Sequence, residues 1–252
     1  MPENEHAGKV ALITGGGRGF GKAFGAALTA LGAHVVLADV DGEAASEAAA
    51  ELNGKGGSAT GVACDVTDEA RVGEVVAEIV GAHGGLDILI NNAGLHSAAY
   101  NKPSVELGVE RLRRLFDVNV MGVVVCTLAA ADAMRGRLGA SIVNLSSSAS
   151  YPNRTAYGVS KLAVRGLTAQ FAHELGREGI RVNGIAPGLI FTDTLRAELP
   201  ESEVARVMSG QVLSREGAET DIVEALLYLV SRRASFITGE TLRVSGGFTL
   251  SV

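Results

Sequence analysis

The sequence predicts an α/β fold: a single doubly wound domain over residues 1–252, with a seven-stranded parallel sheet and helices on both faces. Three observations carry this. Strand-like and helix-like segments alternate from start to finish, the pattern of parallel strands joined by helical crossovers. A glycine cluster follows the first strand and opens the first helix. No Pro/Gly/Ser-rich linker or repeat divides the chain, and a length of 252 residues suits one large domain that buries most of its apolar surface.

Strands are predicted at 10–14, 34–39, 59–65, 86–91, 141–147, 181–186 and 241–244. The first runs into Thr14-Gly-Gly-Gly-Arg-Gly-Phe-Gly21, followed by a helical run over 22–31. Glycines there allow a tight turn and let backbone N–H groups approach a pyrophosphate, while the helix N-terminus adds partial positive charge. The second strand closes on Asp39, twenty residues beyond Gly19, where a carboxylate can accept from both ribose hydroxyls of an adenosine and repel a 2′-phosphate. Segments 43–52 and 68–82 are rich in Ala, Glu and Val at helical spacing, with Thr67-Asp68 as a cap pair for the second. Two long segments, 105–134 and 155–178, are apolar on more than one side, so each must bury a second face somewhere.

The stretch from Asn144 to Lys161 brings hydroxyls, a phenol and an ammonium together within eighteen residues. Apolar spacing through Leu162, Val164, Leu167, Phe171 and Leu175 makes this region helical, so Tyr157 and Lys161 project from one face. A free tyrosine titrates at about 10, and a neighbouring cation favours the phenolate, so Lys161 is expected to lower the pKa of Tyr157. The alternating run Ser141-Ile-Val-Asn-Leu145 reads as a buried strand that delivers Ser146, Ser147 and Ser148 at its carboxyl end, where ligands bind in an open α/β sheet. Taken alone, Tyr-x-x-x-Lys is a weak motif.

Composition narrows the partners. Hydrophobic residues at 47% and charged residues at 20% describe a soluble globular protein. A formal charge of −6 argues against nucleic acid or an anionic membrane. Cys64 and Cys126 are far apart and without a partner motif, and with five histidines no metal centre is indicated. The N-terminus lacks the regions of a signal peptide and no apolar run approaches membrane-spanning length, so a cytoplasmic protein is expected.

Together the motifs resemble the short-chain dehydrogenase/reductase family across essentially the full length. Thr14-Gly15-x-x-x-Gly19-x-Gly21 is similar to its cofactor loop, which takes in Gly17, Arg18 and Phe20, and Asp65-Val66 to its adenine-contacting pair. Asn91-Asn92-Ala93-Gly94 resembles its cofactor-lining turn, and Pro187-Gly188-Leu189-Ile190-Phe191-Thr192 the segment that meets the nicotinamide. Asn119, Ser147, Tyr157 and Lys161 match its catalytic tetrad. The resemblance implies a Rossmann-type fold and NAD(H) as cofactor, with Asp39 followed by Val40 rather than by arginine. It also implies that Tyr157 exchanges a proton with the substrate oxygen, Lys161 holds the nicotinamide ribose, Ser147 hydrogen-bonds the reacting carbonyl and Asn119 anchors a water relay.

The connection from Ser147 to Tyr157 is shorter than is usual in the family, which leaves Ser146 and Ser148 as alternatives. Alternation from Val143 and Leu145 selects Ser147. Ser245 stands where the family often has an aspartate. Substrate-lining candidates are His96, Ala149, Arg154, Leu189 and Leu195 with Ser147 and Tyr157, and residues 188–215 resemble a substrate-covering loop. The function expected is hydride transfer between NAD(H) and a small secondary alcohol or ketone in a homotetramer. A carrier-linked NADPH-dependent 3-oxoacyl reductase and a non-catalytic dinucleotide-binding scaffold or sensor are the alternatives.

Overall fold

Residues 5–96, 99–190, 201–248 and 250 are described by a computed structural model. Strands Val10–Thr14 (β1), His34–Asp39 (β2), Ser58–Ala63 (β3), Ile88–Asn91 (β4), Ser141–Leu145 (β5), Arg181–Pro187 (β6) and Thr241–Val244 (β7) form one sheet in the order β3-β2-β1-β4-β5-β6-β7. Every pairing is parallel. Strand order reverses between β1 and β4, and a crevice at such a switch point is where ligands bind in open α/β sheets.

Among the described residues the α-helices are Gly19–Ala30 (α1), Gly42–Gly54 (α2), Glu69–His83 (α3), Ser104–Leu107 (α4), Val109–Phe116 (α5), Gly122–Met134 (α6), Ala156–Leu175 (α7), Glu201–Gly210 (α8) and Glu219–Val230 (α9). On one face of the sheet Val72, Ile79, Cys126, Met134 and Phe171 pack from α3, α6 and α7. On the other, Phe24, Leu28, Leu52, Ile222 and Leu226 pack from α1, α2 and α9. Asp68 caps α3 by accepting from the Arg71 N–H (3.0 Å), and Thr155 caps α7 by accepting from Gly158 (3.1 Å).

Several boundaries move for local reasons. The third strand stops at Ala63 rather than at residue 65, because Asp65 turns the chain by accepting from the Thr67 N–H (2.9 Å) and hydroxyl (2.8 Å). The fifth stops at Leu145, because the Ser147 carbonyl accepts from the Ser150 N–H (3.0 Å) and closes a 3₁₀ turn over Ser148–Ser150. The long segment 105–134 is broken at Gly108, which has φ +77°, and passes through a π-helical turn at Asp117–Met121. From Val109 to Met134 the chain is nonetheless long and apolar enough to cross a membrane by length and composition, contrary to the reading of the sequence. Half of that window is buried in the fold, where Cys126 and Met134 pack in the core.

At the amino-terminal ends of β1 and β4, opposite the crevice, Asp87 is buried and accepts from Lys9 (2.9 Å), from Arg137 (3.1 and 2.7 Å) and from the Val10 N–H (2.9 Å). Burial alone would raise its pKa, but these donors hold the carboxyl below its ordinary value. Its contribution is therefore present above the unfolded carboxyl pKa and lost as pH falls through the lower folded one. Asp87→Ala is expected to cost about 3 kcal/mol by urea denaturation at pH 7, with the deficit shrinking below about pH 4.

Candidate active site

The strand ends that flank the switch point are tied together. Thr14 Oγ1 accepts from the backbone N–H groups of Asn92 and Ala93, both at 3.1 Å, and Asn92 Nδ2 donates to the carbonyls of Thr14 (3.0 Å) and Gly15 (2.9 Å). Gly15 has φ +63°, and a Cβ there would lie 2.9 Å from Ala93 Cα. A Cβ on Gly21 would lie 2.0 Å from the Gly15 carbonyl oxygen, so no side chain fits. Asp39 is held by two backbone donors, the N–H groups of Gly17 and Asp41, each at 3.0 Å. Arg18 at the N-cap of α1 provides no side-chain cap, which leaves N–H groups of the first turn for an anion.

These features fit NAD(H): a cradle that admits no Cβ, a helix N-terminus for the pyrophosphate and an oriented carboxylate for the ribose hydroxyls. Arg18 of the cofactor loop is ion-paired with Asp41. Phe20 stacks on Phe24 at 6.0 Å, and Val40 is exposed. Asp65 keeps one oxygen on Thr67 and presents the other to Arg114 at 3.4 Å. Val66 turns its side chain into the core, where a Cβ on Gly122 would come within 2.6 Å of it.

Tyr157, Lys161, Ser147 and Asn119 converge beside this cradle. The Ser147 hydroxyl lies near enough to the Tyr157 phenol to favour its ionised form, against the effect of burial. Ser146 instead donates to the Lys161 carbonyl (2.8 Å) and Ser148 is buried, so the structure brings Ser147 and neither neighbour to the phenol. Lys161 is 5% exposed, donates to the Leu145 carbonyl at 2.7 Å, and has no carboxylate partner among the described residues. Burial pushes its ammonium down to about 8. A desolvated cation without a counter-charge is costly and marks functional sites.

Asn119 is fully buried in the π turn, a feature frequent at functional sites. Its Oδ1 accepts from the Leu95 N–H (2.7 Å), and its Nδ2 donates to the Leu95 carbonyl (3.2 Å) and to Ser160 Oγ (3.1 Å). Ser160 donates in turn to the Tyr157 carbonyl at 2.8 Å, so Asn119 reaches the tyrosine through a residue the sequence reading passed over. Gly94 closes the group: a Cβ there would lie 3.2 Å from both Asn119 Oδ1 and Lys161 Nζ.

One expectation is corrected. Lys161 Nζ lies 5.9 Å from the centre of the Tyr157 ring, and the phenol is pushed up from its ordinary value, chiefly by burial, with the Ser147 hydroxyl opposing. Desolvation sets the direction, and the ammonium is directed at the Leu145 carbonyl rather than at the phenol.

On the substrate side, Tyr157, Leu95 and Tyr100 pack against Leu107, Leu115 and Ala156. His96 and Arg154 are exposed, and Ala149 sits on the turn after Ser147. Leu189 lines a cavity of about 320 Å³ with Arg243 and Ser245. Ile190 is buried, with Pro187 and Gly188 leading into it from the end of β6. Thr192 and Leu195 lie outside the described residues, as do all of residues 191–200 of the expected covering loop. Among the described residues no group of three or more His, Cys, Asp or Glu could hold a metal.

A phenol, a serine hydroxyl and a buried ammonium beside a nucleotide cradle are the equipment of a dinucleotide-dependent oxidoreductase. Comparison with known proteins agrees. A family model described as enoyl-(acyl carrier protein) reductase matches residues 15–249. An uncharacterized oxidoreductase of Mycobacterium tuberculosis is 40% identical over 95% of this chain and 96% of its own. Sorbitol dehydrogenase of Cereibacter sphaeroides is 38% identical over 97% and 98%. A solved structure assigned as a D-mannonate oxidoreductase from Haemophilus influenza, with NAD bound, superposes with a TM-score of 0.91 at 27% identity, covering 98% of this chain and 96% of that one. The chain belongs to the short-chain dehydrogenase/reductase family.

Proposed function

We propose that this protein, acting as one domain, interconverts a small secondary alcohol and the corresponding ketone, with NAD(H) in preference to NADP(H). The observation that carries the reading is Lys161, buried, donating to the Leu145 carbonyl and without a carboxylate partner among the described residues, on the same helix as Tyr157 and with Ser147 near the phenol. When bound, NAD(H) supplies or accepts the hydride. The glycine loop and Asp39 bind and orient it, and Lys161 supplies a donor toward its ribose. Ser147 donates a hydrogen bond to the substrate oxygen. Tyr157, kept protonated by its burial, delivers its proton to that oxygen in reduction and takes it back in oxidation. Asn119 and Ser160 hold the backbone on either side of this group. A non-catalytic scaffold would have no use for a buried ammonium whose desolvation costs stability.

Cofactor preference rests on two carboxylates at the end of β2. Asp39 is already oriented, and Asp41 occupies the guanidinium of Arg18 that could otherwise meet a 2′-phosphate. Initial rates over a panel of secondary alcohols, polyols included, should give a kcat/KM with NAD⁺ more than about tenfold that with NADP⁺, equivalent to about 1.4 kcal/mol. Equal efficiencies would refute the preference, and no turnover of any secondary alcohol would refute the substrate class.

A homotetramer is part of this proposal. Met121 and Leu128 on the α6 side and Val159 and Leu162 on α7 are exposed, and apolar faces of adjacent helices are buried when copies associate. Light scattering at micromolar concentration is expected to give the tetramer mass; a monomer would remove this part of the proposal.

A further inference from the structure

Tyr157, Lys161 and Arg165 are spaced four apart on α7 and so form one stripe along the helix. The first two face the chemistry. Arg165 donates instead to the Ser150 carbonyl at 3.3 Å, and its guanidinium carbon lies 3.9 Å from the centre of the Tyr151 ring. A second guanidinium, that of Arg243 on β7, lies 3.9 Å from the centre of the same ring. Two cations flank one aromatic ring, an arrangement favoured by the ring's quadrupole.

The ring so held ends the short turn that begins at Ser147. Ser147 Oγ accepts from the Ala149 N–H (3.2 Å), Ser150 Oγ donates to the Ser147 carbonyl (2.6 Å), and the Tyr151 N–H donates to the Ser148 carbonyl (3.2 Å). The turn lies tight on α7, since a Cβ on Gly158 would come within 2.6 Å of the Ala149 carbonyl oxygen. Nine residues lie between Ser147 and Tyr157, so the short turn and the ring that ends it are what fix the serine.

The geometry points to Tyr151 as a positioning residue: clamped between Arg165 and Arg243, it fixes the 147–151 turn and thereby holds the Ser147 hydroxyl against Tyr157 and the substrate oxygen. The inference rests on the role proposed above for Ser147. Tyr151 touches no reacting atom and acts through the serine.

A double-mutant cycle tests it, with NAD⁺ and the best secondary alcohol of the panel as substrates. Tyr151→Leu is expected to lower kcat by about tenfold to a hundredfold, the scale of an ångström of misplacement, with the Kd for NADH, read by fluorescence, unchanged. Tyr151→Phe, which keeps the ring and its cations, should retain wild-type kcat. In a Ser147→Ala background Tyr151→Leu should cost nothing further, because the group it positions is gone. Arg165→Met, which removes one cation and its bond to Ser150, should show the same dependence on Ser147 and serves should Tyr151→Leu fail to fold.

An undiminished loss in the Ser147→Ala background overturns the inference, as does a Phe variant impaired as badly as Leu. Both outcomes leave the proposed function standing if Ser147→Ala is itself impaired. A Ser147→Ala enzyme with wild-type kcat overturns the role of Ser147 and this inference together.

Discussion

Tyr157→Phe is expected to lower kcat by about two to four orders of magnitude while leaving NADH affinity near that of the wild type. The substitution removes one hydroxyl and keeps the ring, so the packing with Leu95, Leu107 and Leu115 survives. What is lost is general acid/base transfer, whose contribution is typically 10²–10⁴-fold, and the loss falls in the transition state alone. Fluorescence titration with NADH and steady-state rates on one preparation separate the two effects. A variant keeping more than about a tenth of wild-type kcat, with chemistry rate-limiting, would assign the proton to another group.

Lys161→Met should abolish turnover and at the same time change the pH dependence of stability. The wild-type ammonium titrates at about 8 in the fold against an ordinary 10.5. Below pH 8 both folded and unfolded chains carry the charge, and the fold bears the whole cost of burying it. Between pH 8 and 10.5 the folded chain gives up its proton first, so wild-type stability rises with pH through that window. The whole difference amounts to roughly 3 kcal/mol. Methionine removes this dependence but leaves the Leu145 carbonyl without its donor, at about 1–3 kcal/mol. Lys161→Met should therefore be close to wild type in stability at pH 7 and fall behind it by pH 10. Urea denaturation at the two pH values measures this, and a pH-independent difference would mean that the ammonium titrates normally. In the reductive direction kcat/KM should be flat below about pH 7 and fall as the ammonium is lost near pH 8.

The alternation of segments, the glycine loop and its acid determined the architecture from residue order alone. Parallel strands buried on both faces must be apolar, crossovers must be helical, and a phosphate cradle must be glycine where backbone meets backbone, as Gly15 and Gly21 do. Tyr157 and Lys161 were legible because helical spacing is a local rule. Strand alternation selected Ser147 for the same reason, and it is the Ser147 side chain that influences the Tyr157 phenol.

The electrostatics were not legible, because charge depends on what surrounds it in three dimensions. Sequence proximity led to the expectation that Lys161 lowers the phenol's pKa. Only tertiary burial shows that desolvation raises it, and that the ammonium is spent on a strand carbonyl. The pairing of Arg18 with Asp41, twenty-three residues apart, is likewise a product of the loop's folding. So is the bond from Asn119 to Ser160, and so is the clamp on Tyr151 by arginines from a helix and a strand. Local periodicity determined which side chains share a face; which groups lose water, and which partners replace it, was decided by the packing of elements distant in the chain.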